Sequence, residues 1–355
     1  MKPIDAIRVF HDELTAIRRD FHAHPEIGME ETRTAGIVAE KLRSWGIEVH
    51  ERVGRTGVVG IIRNGEGPSV GLRADMDCLP MDEQTNLDYR STNPGRMHAC
   101  GHDGHTTMLL GAAKYLAQTK NFKGTVTLIF QPGEEGMGGA LAMLEDKLFE
   151  RFPCDAIYAM HNRPGIPVGD FCIAPGPSAA GGAFFDIHVT GRGSHGARPE
   201  ASIDPVLVCS HIATALQSIV SRNISPSDTA VLSVTKIVGG DAYNVIPQTA
   251  TMSGTCRAFK REVMNQMEEG MKRIAKGVAE GFGATAEVDF RFIFAPLIND
   301  PDRTTELADA AASIVGEGRV DRAKPPGMGS EDFSFMMEKV PGAYIQVGNG
   351  ESAQL

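Results

Sequence analysis

The segment MHACGHDGHTT holds the densest group of potential metal ligands in the 355-residue chain. Directly before a predicted helix, four such residues fall within six positions: Cys100, His102, Asp103 and His105. Thiolate sulfur and imidazole nitrogen suit zinc-like divalent metals. Gly101 allows the backbone to turn, so that the side chains of Cys100 and His102 converge. The segment indicates a metal site, with a polar loop and a buried thiol as the alternatives for such a cluster on its own.

Further polar groups follow predicted apolar strands. The turn in FQPGEEG presents Glu134 and Glu135, AMHNRPG places His161 at a strand end, and GLRADMDCLP brings Asp75 and Asp77 to another. Taken singly, these could be a solvated acidic turn, a hydrogen-bonded core histidine and an ordinary Asp-rich turn. Ligands of open α/β sheets gather at the carboxyl ends of strands, so their joint occurrence predicts a metal centre. The mixed ligand set, without paired CxxC spacing, favours a catalytic centre with two metals.

The elements that position these residues alternate between helices and apolar strands. Apolar side chains recur at helical spacing over 4–24 until Pro25, and a second helix is predicted over 31–45, with Gly46 as its C-cap. The next elements are strands at 57–63 and 69–76, a helix at 104–118, a strand at 124–130, a helix at 138–146 and a strand at 155–161. This alternation predicts a mostly parallel sheet covered on both faces.

The pattern changes near residue 183. AFFDIHVTG alternates with Phe185, Ile187 and Val189 on one side, which is typical of a half-exposed strand. The elements predicted next are a helix at 204–221, strands at 229–238 and 248–258, a helix at 261–281 and a strand at 285–293. Together they make βαββαβ, the split ferredoxin-like arrangement.

After Pro296 the earlier style resumes, with helices at 302–315 and 331–339 and the strand GAYIQVG. We therefore expect an α/β protein in three segments. Residues 1–182 and 296–355 form one domain, and 183–295 form a domain inserted into it.

Composition narrows the class of protein. With 42% hydrophobic and 23% charged residues, the chain can form an ordinary globular core. A net charge of −10 argues against nucleic-acid and anionic-membrane partners.

No apolar run approaches the roughly 20 residues of a membrane span, and the N-terminus lacks a signal-peptide pattern, so a cytoplasmic location is expected. The six cysteines, scattered without paired spacing, are then free thiols or ligands. No predicted strand is followed by GxGxxG, which argues against a dinucleotide-binding dehydrogenase.

Several motifs carry a resemblance to a known family. In chain order they are RRDFHAHPEIGMEE, GLRADMDCLP, MHACGHDGHT, FQPGEEG, GRGSHGARPE, NVIPQTATMSGTCRAF and MGSEDF. The sequence resembles the amidohydrolase branch of the aminoacylase/carboxypeptidase-type metallopeptidases, which includes hippurate hydrolases and auxin–amino-acid conjugate hydrolases. The resemblance covers essentially the whole chain. It implies a zinc-exopeptidase-like catalytic domain with a mostly parallel mixed sheet, interrupted by a lid that also forms the dimer.

The resemblance also implies roles for individual residues in the catalytic domain. The metal ligands are Cys100, His102, Glu135 and His161, with Cys100 shared between two metals. Glu134 becomes the general base, and Asp77 matches the carboxylate that supports the metal centre. Asp75 stands where relatives outside this branch carry a ligand histidine, so its own role stays open.

In the inserted domain, His195 of GRGSHGARPE matches a histidine that enters the active site of the partner subunit. Asn244 and Arg257 match residues that hold the substrate carboxylate, and Gly329 of MGSEDF is a further substrate-binding position. Without the resemblance, we would interpret His195 as a loop histidine and Arg257 as a surface charge at a strand edge.

The activity implied is hydrolysis of N-acyl amino acids such as hippurate to a carboxylic acid and a free amino acid. Two divalent metals per subunit (Zn, Mn, Co or Ni) and a homodimer through the lid are implied with it. A dipeptidase or exopeptidase of the same superfamily and a degenerate dimeric binding protein are the alternatives. Relatives carry a further ligand histidine beyond the strand GAYIQVG, whereas this sequence has no histidine after His211. We therefore expect the sequence to be a truncated form.

Overall fold

The computed structural model describes residues 3–352. Its helices are α1 (Pro3–Arg8), α2 (His11–Ala23), α3 (Thr32–Ser44), α4 (His102–Thr119), α5 (Gly139–Glu145), α6 (Leu148–Arg151), α7 (Pro205–Ser218), α8 (Arg261–Gly281), α9 (Pro301–Val315) and α10 (Phe333–Met337). Its strands are β1 (Glu48–Val53), β2 (Gly57–Asn64), β3 (Ser69–Asp75), β4 (Gly124–Gln131), β5 (Ala156–Arg163), β6 (Phe171–Cys172), β7 (Gly176–Ala179), β8 (Gly181–Thr190), β9 (Ser194–His195), β10 (Ala230–Val238), β11 (Val245–Ile246), β12 (Thr249–Ala258), β13 (Thr285–Phe294), β14 (Leu297–Asn299), β15 (Val320–Asp321) and β16 (Gly342–Gly348).

The chain divides into two compact units. The first comprises Met1–Ser178, Ile298–Pro325 and Asp332–Leu355, and the second comprises Ala179–Leu297 and Pro326–Glu331. The short segment 326–331, which contains Gly329, thus groups with the second unit, whereas the predicted boundaries placed it in the last segment of the catalytic domain.

The first unit is built on a mixed eight-stranded sheet in the order β1-β2-β4-β3-β5-β16-β6-β15. Its four central strands, β4, β3, β5 and β16, run parallel to one another. Along β4, side chains that point to either face of the sheet are buried, so helices or loops cover both faces there. The predicted α/β class with a mostly parallel mixed sheet is confirmed in this unit.

Register brings the carboxyl ends of the central strands to one edge of the sheet. Asp75, the last residue of β3, lies opposite Gln131, the last residue of β4. On the other side β3 pairs in parallel with β5, whose residue His161 lies opposite Gln346 of β16. The residues that follow these strands therefore meet at the same edge.

The N-terminal helix departs from the prediction. Residues 4–24 form α1 and α2 instead of one helix. The N–H of Phe10 donates to the Ile7 carbonyl (2.8 Å) and the N–H of Leu14 donates to the Phe10 carbonyl (2.9 Å), so a tight turn separates the two helices. Because the apolar spacing continues across this turn, periodicity alone gives no sign of the break.

Strand β1 has no counterpart among the predicted elements. It is an edge strand that pairs antiparallel with β2, and most of its side chains are charged or polar and remain accessible. An exposed edge strand needs no apolar face, so its sequence lacks the alternation that marks half-buried strands. The end of α3 just before it is as predicted: Gly46 has φ +74°, and the N–H of Ile47 closes the last turn on the Leu42 carbonyl (3.1 Å).

The second unit contains a four-stranded antiparallel sheet in the order β10-β12-β8-β13, with α7 and α8 packed against it. The predicted alternation of β8 is confirmed, since Phe185, Ile187 and Val189 are fully buried in the core of this unit. In chain order the sheet strands and helices run βαββαβ.

Candidate metal centre

The loop before α4 brings two ligand-type residues together as the sequence indicates. Gly101 precedes α4 with a φ of +94°, a backbone conformation that residues with a side chain rarely adopt. A Cβ atom at this position would lie 2.3 Å from Oδ1 of Asn162, so only glycine fits. The turn places Cys100 beside the sheet edge and makes His102 the first residue of the helix, where its side chain is buried.

Asp77 orients His102 and the acidic turn at the same time. Its Oδ1 lies 3.1 Å from Nδ1 of His102, and its Oδ2 accepts the backbone N–H of Glu135 at 2.9 Å. A carboxylate bonded to one nitrogen of a metal-binding histidine fixes the ring and its tautomer and leaves the other nitrogen for the metal. Asp77 thus links the first residue of α4 to the turn that carries the two glutamates.

His161 is held in the same manner, by a backbone carbonyl. Its Nδ1 lies 2.6 Å from the Asn162 carbonyl oxygen, which accepts that hydrogen bond, and its Nε2 lies 3.4 Å from Sγ of Cys100. Burial, together with the charges of His105 and His102, lowers the pKa of His161 to about 3. The ring is neutral at pH 7, which is the form that binds a metal.

Glu31 fixes the turn that carries the two adjacent glutamates. This fully buried carboxylate accepts the N–H of Gly133 at 2.8 Å and the hydroxyl of Thr56 at 2.5 Å. Glu134 follows this turn and is 6% exposed, and its Oε1 accepts the backbone N–H of Asp332 at 3.3 Å. The general-base candidate is therefore held from two separate parts of the first unit, by the Glu31 carboxylate on its turn and by the Asp332 backbone N–H on its side chain.

Two buried ligand atoms have no hydrogen-bond partner within residues 3–352, namely Nε2 of His102 and Oε1 of Glu135. They lie 3.9 Å apart. Leaving buried polar atoms unsatisfied is unfavourable, and a cation between them would satisfy both. The ligand atoms of Cys100, His102 and His161 form one group within 4.8 Å, and those of His102, Glu134 and Glu135 form another. Two overlapping sets of this kind fit a centre for divalent metals.

The electrostatics of the centre also favour a cation. Burial alone would lower the pKa of His102, but the carboxylates of Asp75 and Asp77 raise it well above its ordinary value. Burial raises the pKa of the Cys100 thiol and of Glu135, because without a cation their charged forms are disfavoured. A divalent ion would displace the His102 proton and stabilise both anions.

The other two residues of the MHACGHDGHTT cluster are engaged elsewhere. Oδ2 of Asp103 lies 2.8 Å from Nδ1 of His22 and 2.9 Å from Nε of Arg18. Burial opposes ionisation of Asp103, but the hydrogen bond from His22 and nearby positive charge lower its pKa to about 2. His105 bonds through Nδ1 to Oδ1 of Asp75 at 2.6 Å. These contacts give both residues roles in positioning the segment.

The structure places Asp75 behind the metal-binding atoms. Its Oδ1 contacts His105, and its Oδ2 accepts a hydrogen bond from Nη1 of Arg73 at 2.6 Å. Oδ2 also lies 3.8 Å from Nε2 of His102. Both oxygens are thus engaged with protein groups, which is how a residue that supports ligands is held.

The second unit carries the predicted catalytic residue His195 and the predicted substrate-binding residues Asn244, Arg257 and Gly329. His195 of β9 lies opposite Val245 of β11, next to Asn244, and both His195 and Asn244 are exposed. Arg257 of β12 is half-buried and makes no ion pair within residues 3–352. Gly329 lies beside β8, because its carbonyl accepts the N–H of Ala180 at 2.8 Å.

Three buried residues of the site were not predicted from the sequence: Glu31, Arg73 and Asp332. Glu31 lies within a quoted motif but carries no local signal of its partners. For Arg73 a signal exists, because a charged residue lies inside a predicted strand, between the apolar residues Leu72 and Ala74. A buried arginine requires carboxylate partners, and one of these, Asp332, is far away in the sequence.

Comparison with known proteins assigns the family. The model for peptidase family M20/M25/M40 matches residues 71–355. The hippurate hydrolase of Campylobacter jejuni is 42% identical over 98% of this chain and 91% of its own length. The N-acetylcysteine deacetylase of Bacillus subtilis is 40% identical over 97% of this chain and 90% of its own.

This protein belongs to peptidase family M20/M25/M40. A solved structure of the family, the YXEP protein of Bacillus subtilis, is described as a dinuclear metal-binding peptidase. It superposes with a TM-score of 0.83 at 36% identity, over 96% of this chain and 89% of its own. The M20 chain is a metal-dependent amidohydrolase, as the resemblance predicted, and its buried ligand groups are consistent with divalent metals. Among residues 3–352 of this M20 member, no helix is both long and apolar enough to cross a membrane.

Proposed function

We propose that this enzyme hydrolyses the amide bond of N-acyl amino acids of the hippurate type, releasing a carboxylic acid and a free amino acid. The observation that carries the proposal is the pair of unsatisfied buried atoms on His102 and Glu135, next to a buried glutamate that can move a proton. A centre of this composition suits hydrolysis of an unactivated amide.

The metal ligands in this proposal are Cys100, His102, Glu135 and His161, with Cys100 shared by two ions. Zinc, manganese, cobalt and nickel all accept such mixed sulfur, nitrogen and oxygen ligands. When bound, the ions would polarise the scissile carbonyl and lower the pKa of a water molecule toward about 7. His102 and His161 contribute neutral imidazoles that Asp77 and the Asn162 carbonyl keep oriented.

Glu134 moves the proton. Its carboxylate accepts a proton from the attacking water and then returns it to the nitrogen of the leaving amino acid. The N–H of Asp332 on Oε1 restricts rotation of this carboxylate and so fixes its orientation in the centre. Burial keeps competing water away from Glu134.

Arg257 recognises the carboxylate of the amino-acid portion. Nη1 of Arg257 is occupied by Thr255 (2.8 Å) and by the Cys256 carbonyl, which fixes the plane of the guanidinium. The buried hydroxyl of Ser330 has no hydrogen-bond partner within residues 3–352. A Cβ atom at Gly182 would lie 2.7 Å from Nη1 of Arg257 and 3.0 Å from that hydroxyl, so glycine keeps the space between them open. A planar fork beside a free hydroxyl suits a carboxylate. We assign Asn244 and Gly329 to the same recognition task.

The second unit is, in this proposal, a ferredoxin-like lid and dimerisation domain inserted at 183–295, and its His195 acts in the active site of a partner subunit. The N–H of Ala197 donates to Nδ1 of His195 at 3.1 Å. The neutral ring then carries its proton on Nε2, which can donate to the oxyanion of the tetrahedral intermediate. We also propose a cytoplasmic location, because all six cysteines are free thiols.

A substrate panel tests the proposed function. Benzoylglycine should be hydrolysed with a kcat/KM about 10- to 100-fold above that of benzoylglycinamide, because the amide lacks the charge that Arg257 binds. Free dipeptides such as glycylglycine should be poor substrates. With the metal-loaded protein, release of benzoate is measured for the two benzoyl substrates and release of glycine is measured for glycylglycine. Preferential cleavage of free dipeptides would instead identify a dipeptidase.

Mixing inactive variants tests the role of His195 in the partner subunit. After subunit exchange, His195→Ala and Glu134→Gln proteins should together regain activity, because each heterodimer then contains one intact site. The matched control mixes Glu134→Gln with Cys100→Ser, whose lesions both lie in the first unit, and should regain none. If exchange is demonstrated by native mass spectrometry and activity still does not return, His195 does not act in trans.

A further inference from the structure

Arg73 is a buried cation at the centre of the first unit. Its side chain is 2% exposed, and it lies on β3, directly below the carboxyl ends of the central strands. The guanidinium donates to Oδ2 of Asp75 (2.6 Å), to Oε1 of Gln131 (2.9 Å) and to Oδ1 of Asp332 (3.3 Å). A buried ionic network of this kind contributes little net stability compared with an apolar core, so its geometry invites a functional explanation.

The first connection runs from Arg73 to the metal-binding histidine. Asp75 accepts from Arg73 on Oδ2 and contacts His105 through Oδ1, which holds the carboxylate in place. In this position Oδ2 stays 3.8 Å from Nε2 of His102, too far for a hydrogen bond. Without Arg73, the carboxylate could rotate onto that nitrogen and occupy the atom that a metal needs.

The second connection runs from Arg73 to the general base. The side chain of Asp332 is fixed through both oxygens, because Oδ1 accepts from Arg73 and from Nε2 of Gln131 (2.6 Å), while Oδ2 accepts the N–H of Ala140 (2.9 Å). The backbone N–H of the same residue donates to Oε1 of Glu134. The orientation of the Asp332 side chain is thus linked to that of the proton-transfer group.

We propose that Arg73 is a positioning residue that sets the metal-binding side and the proton-transfer side of the centre together, through Asp75 and Asp332 respectively. The inference rests on the proposed function and deepens it. It predicts that the two sides can be disturbed separately by changing the two carboxylates, and jointly by changing Arg73.

The test compares Arg73→Lys, Asp75→Asn and Asp332→Asn in the full chain, with Arg63→Lys as the matched control. Arg63 makes an exposed ion pair with Glu48 on the neighbouring strands β2 and β1. Two measurements are made on each protein: zinc affinity by competition with a chromophoric chelator, and steady-state kinetics with benzoylglycine, which give kcat and KM. Lysine keeps the charge of Arg73 but cannot donate to three groups in one plane.

Arg73→Lys should weaken zinc binding and lower kcat, each by about 10- to 100-fold, as found for residues that orient metal ligands. Asp75→Asn should mainly weaken zinc binding. Asp332→Asn should lower kcat, with zinc affinity and KM within about two-fold of the unmodified protein. If Arg73→Lys does not fold, the divergence between the two carboxylate variants still tests the proposal.

The proposal is overturned if Arg73→Lys retains both its zinc affinity and its kcat within about two-fold. It is also overturned if Asp75→Asn and Asp332→Asn lose zinc affinity and kcat in the same proportion, as a purely structural role would require. Failure of the proposed function is recognised separately, because the unmodified protein would then bind zinc without hydrolysing benzoylglycine. The zinc affinities would still test the Asp75 connection in that case.

Discussion

Replacing Glu134 by glutamine is expected to lower kcat for benzoylglycine by about 100- to 10,000-fold, the range that general acid–base catalysis contributes. Glutamine has nearly the same shape, and its carbonyl oxygen can still accept the N–H of Asp332. It cannot accept a proton from water. The loss should therefore fall on kcat, while KM and the metal content stay close to those of the unmodified protein.

The measurement is steady-state release of glycine, together with metal analysis of the same preparation. Glu145→Gln provides the matched control, because Glu145 is an exposed glutamate at the end of α5 and the chemical change is identical. Turnover by a metal-loaded Glu134→Gln protein at nearly the unmodified rate would remove Glu134 from the proton-transfer step.

Removal of the metals is expected to lower turnover by about 1,000-fold or more, since stabilisation of transition-state charge by a metal is worth several kcal/mol. The same treatment should lower the Tm. The carboxylates of Asp75, Asp77, Glu134 and Glu135 converge on His102, and a bound cation relieves their repulsion. Because only the folded chain presents this centre, the stabilisation should grow with free metal concentration.

The experiment is dialysis against a chelator, followed by return of single divalent metals, with activity and thermal unfolding recorded at each step. Cys100→Ser should bind less metal and lose most of its activity. Cys154→Ser, a partly buried cysteine outside the ligand group, should behave like the unmodified protein. A metal-free protein that hydrolyses benzoylglycine at the full rate would contradict a metal-dependent mechanism.

Much of the centre could be predicted from the sequence because it obeys a general rule of α/β sheets. Polar residues that follow apolar strands meet at one edge when the strands are parallel, and this rule correctly brought His161 and the two adjacent glutamates toward the loop before α4. The turn between Cys100 and His102 could be predicted because it depends on one local residue, Gly101, whose positive φ permits it.

The remaining parts could not be predicted because their causes are not local. The turn between α1 and α2 leaves the apolar periodicity unchanged, and β1 is an edge strand without an apolar face. The partners of Glu31 and Arg73 are reached only after the sheet has formed. Nothing in the residues around Asp332 indicates that its side chain will meet Arg73 on a central strand.

The contact between Arg73 and Asp332 joins residues that are 259 positions apart. At a synthesis rate of about 5 to 20 residues per second, Arg73 leaves the ribosome roughly 10 to 50 seconds before its partner. During that interval the strand that carries Arg73 has no means of neutralising its charge through Asp332. The proton-transfer group consequently lacks its final support until Asp332 has been synthesised, so the nascent chain should gain hydrolytic competence only after residue 332 has left the ribosome.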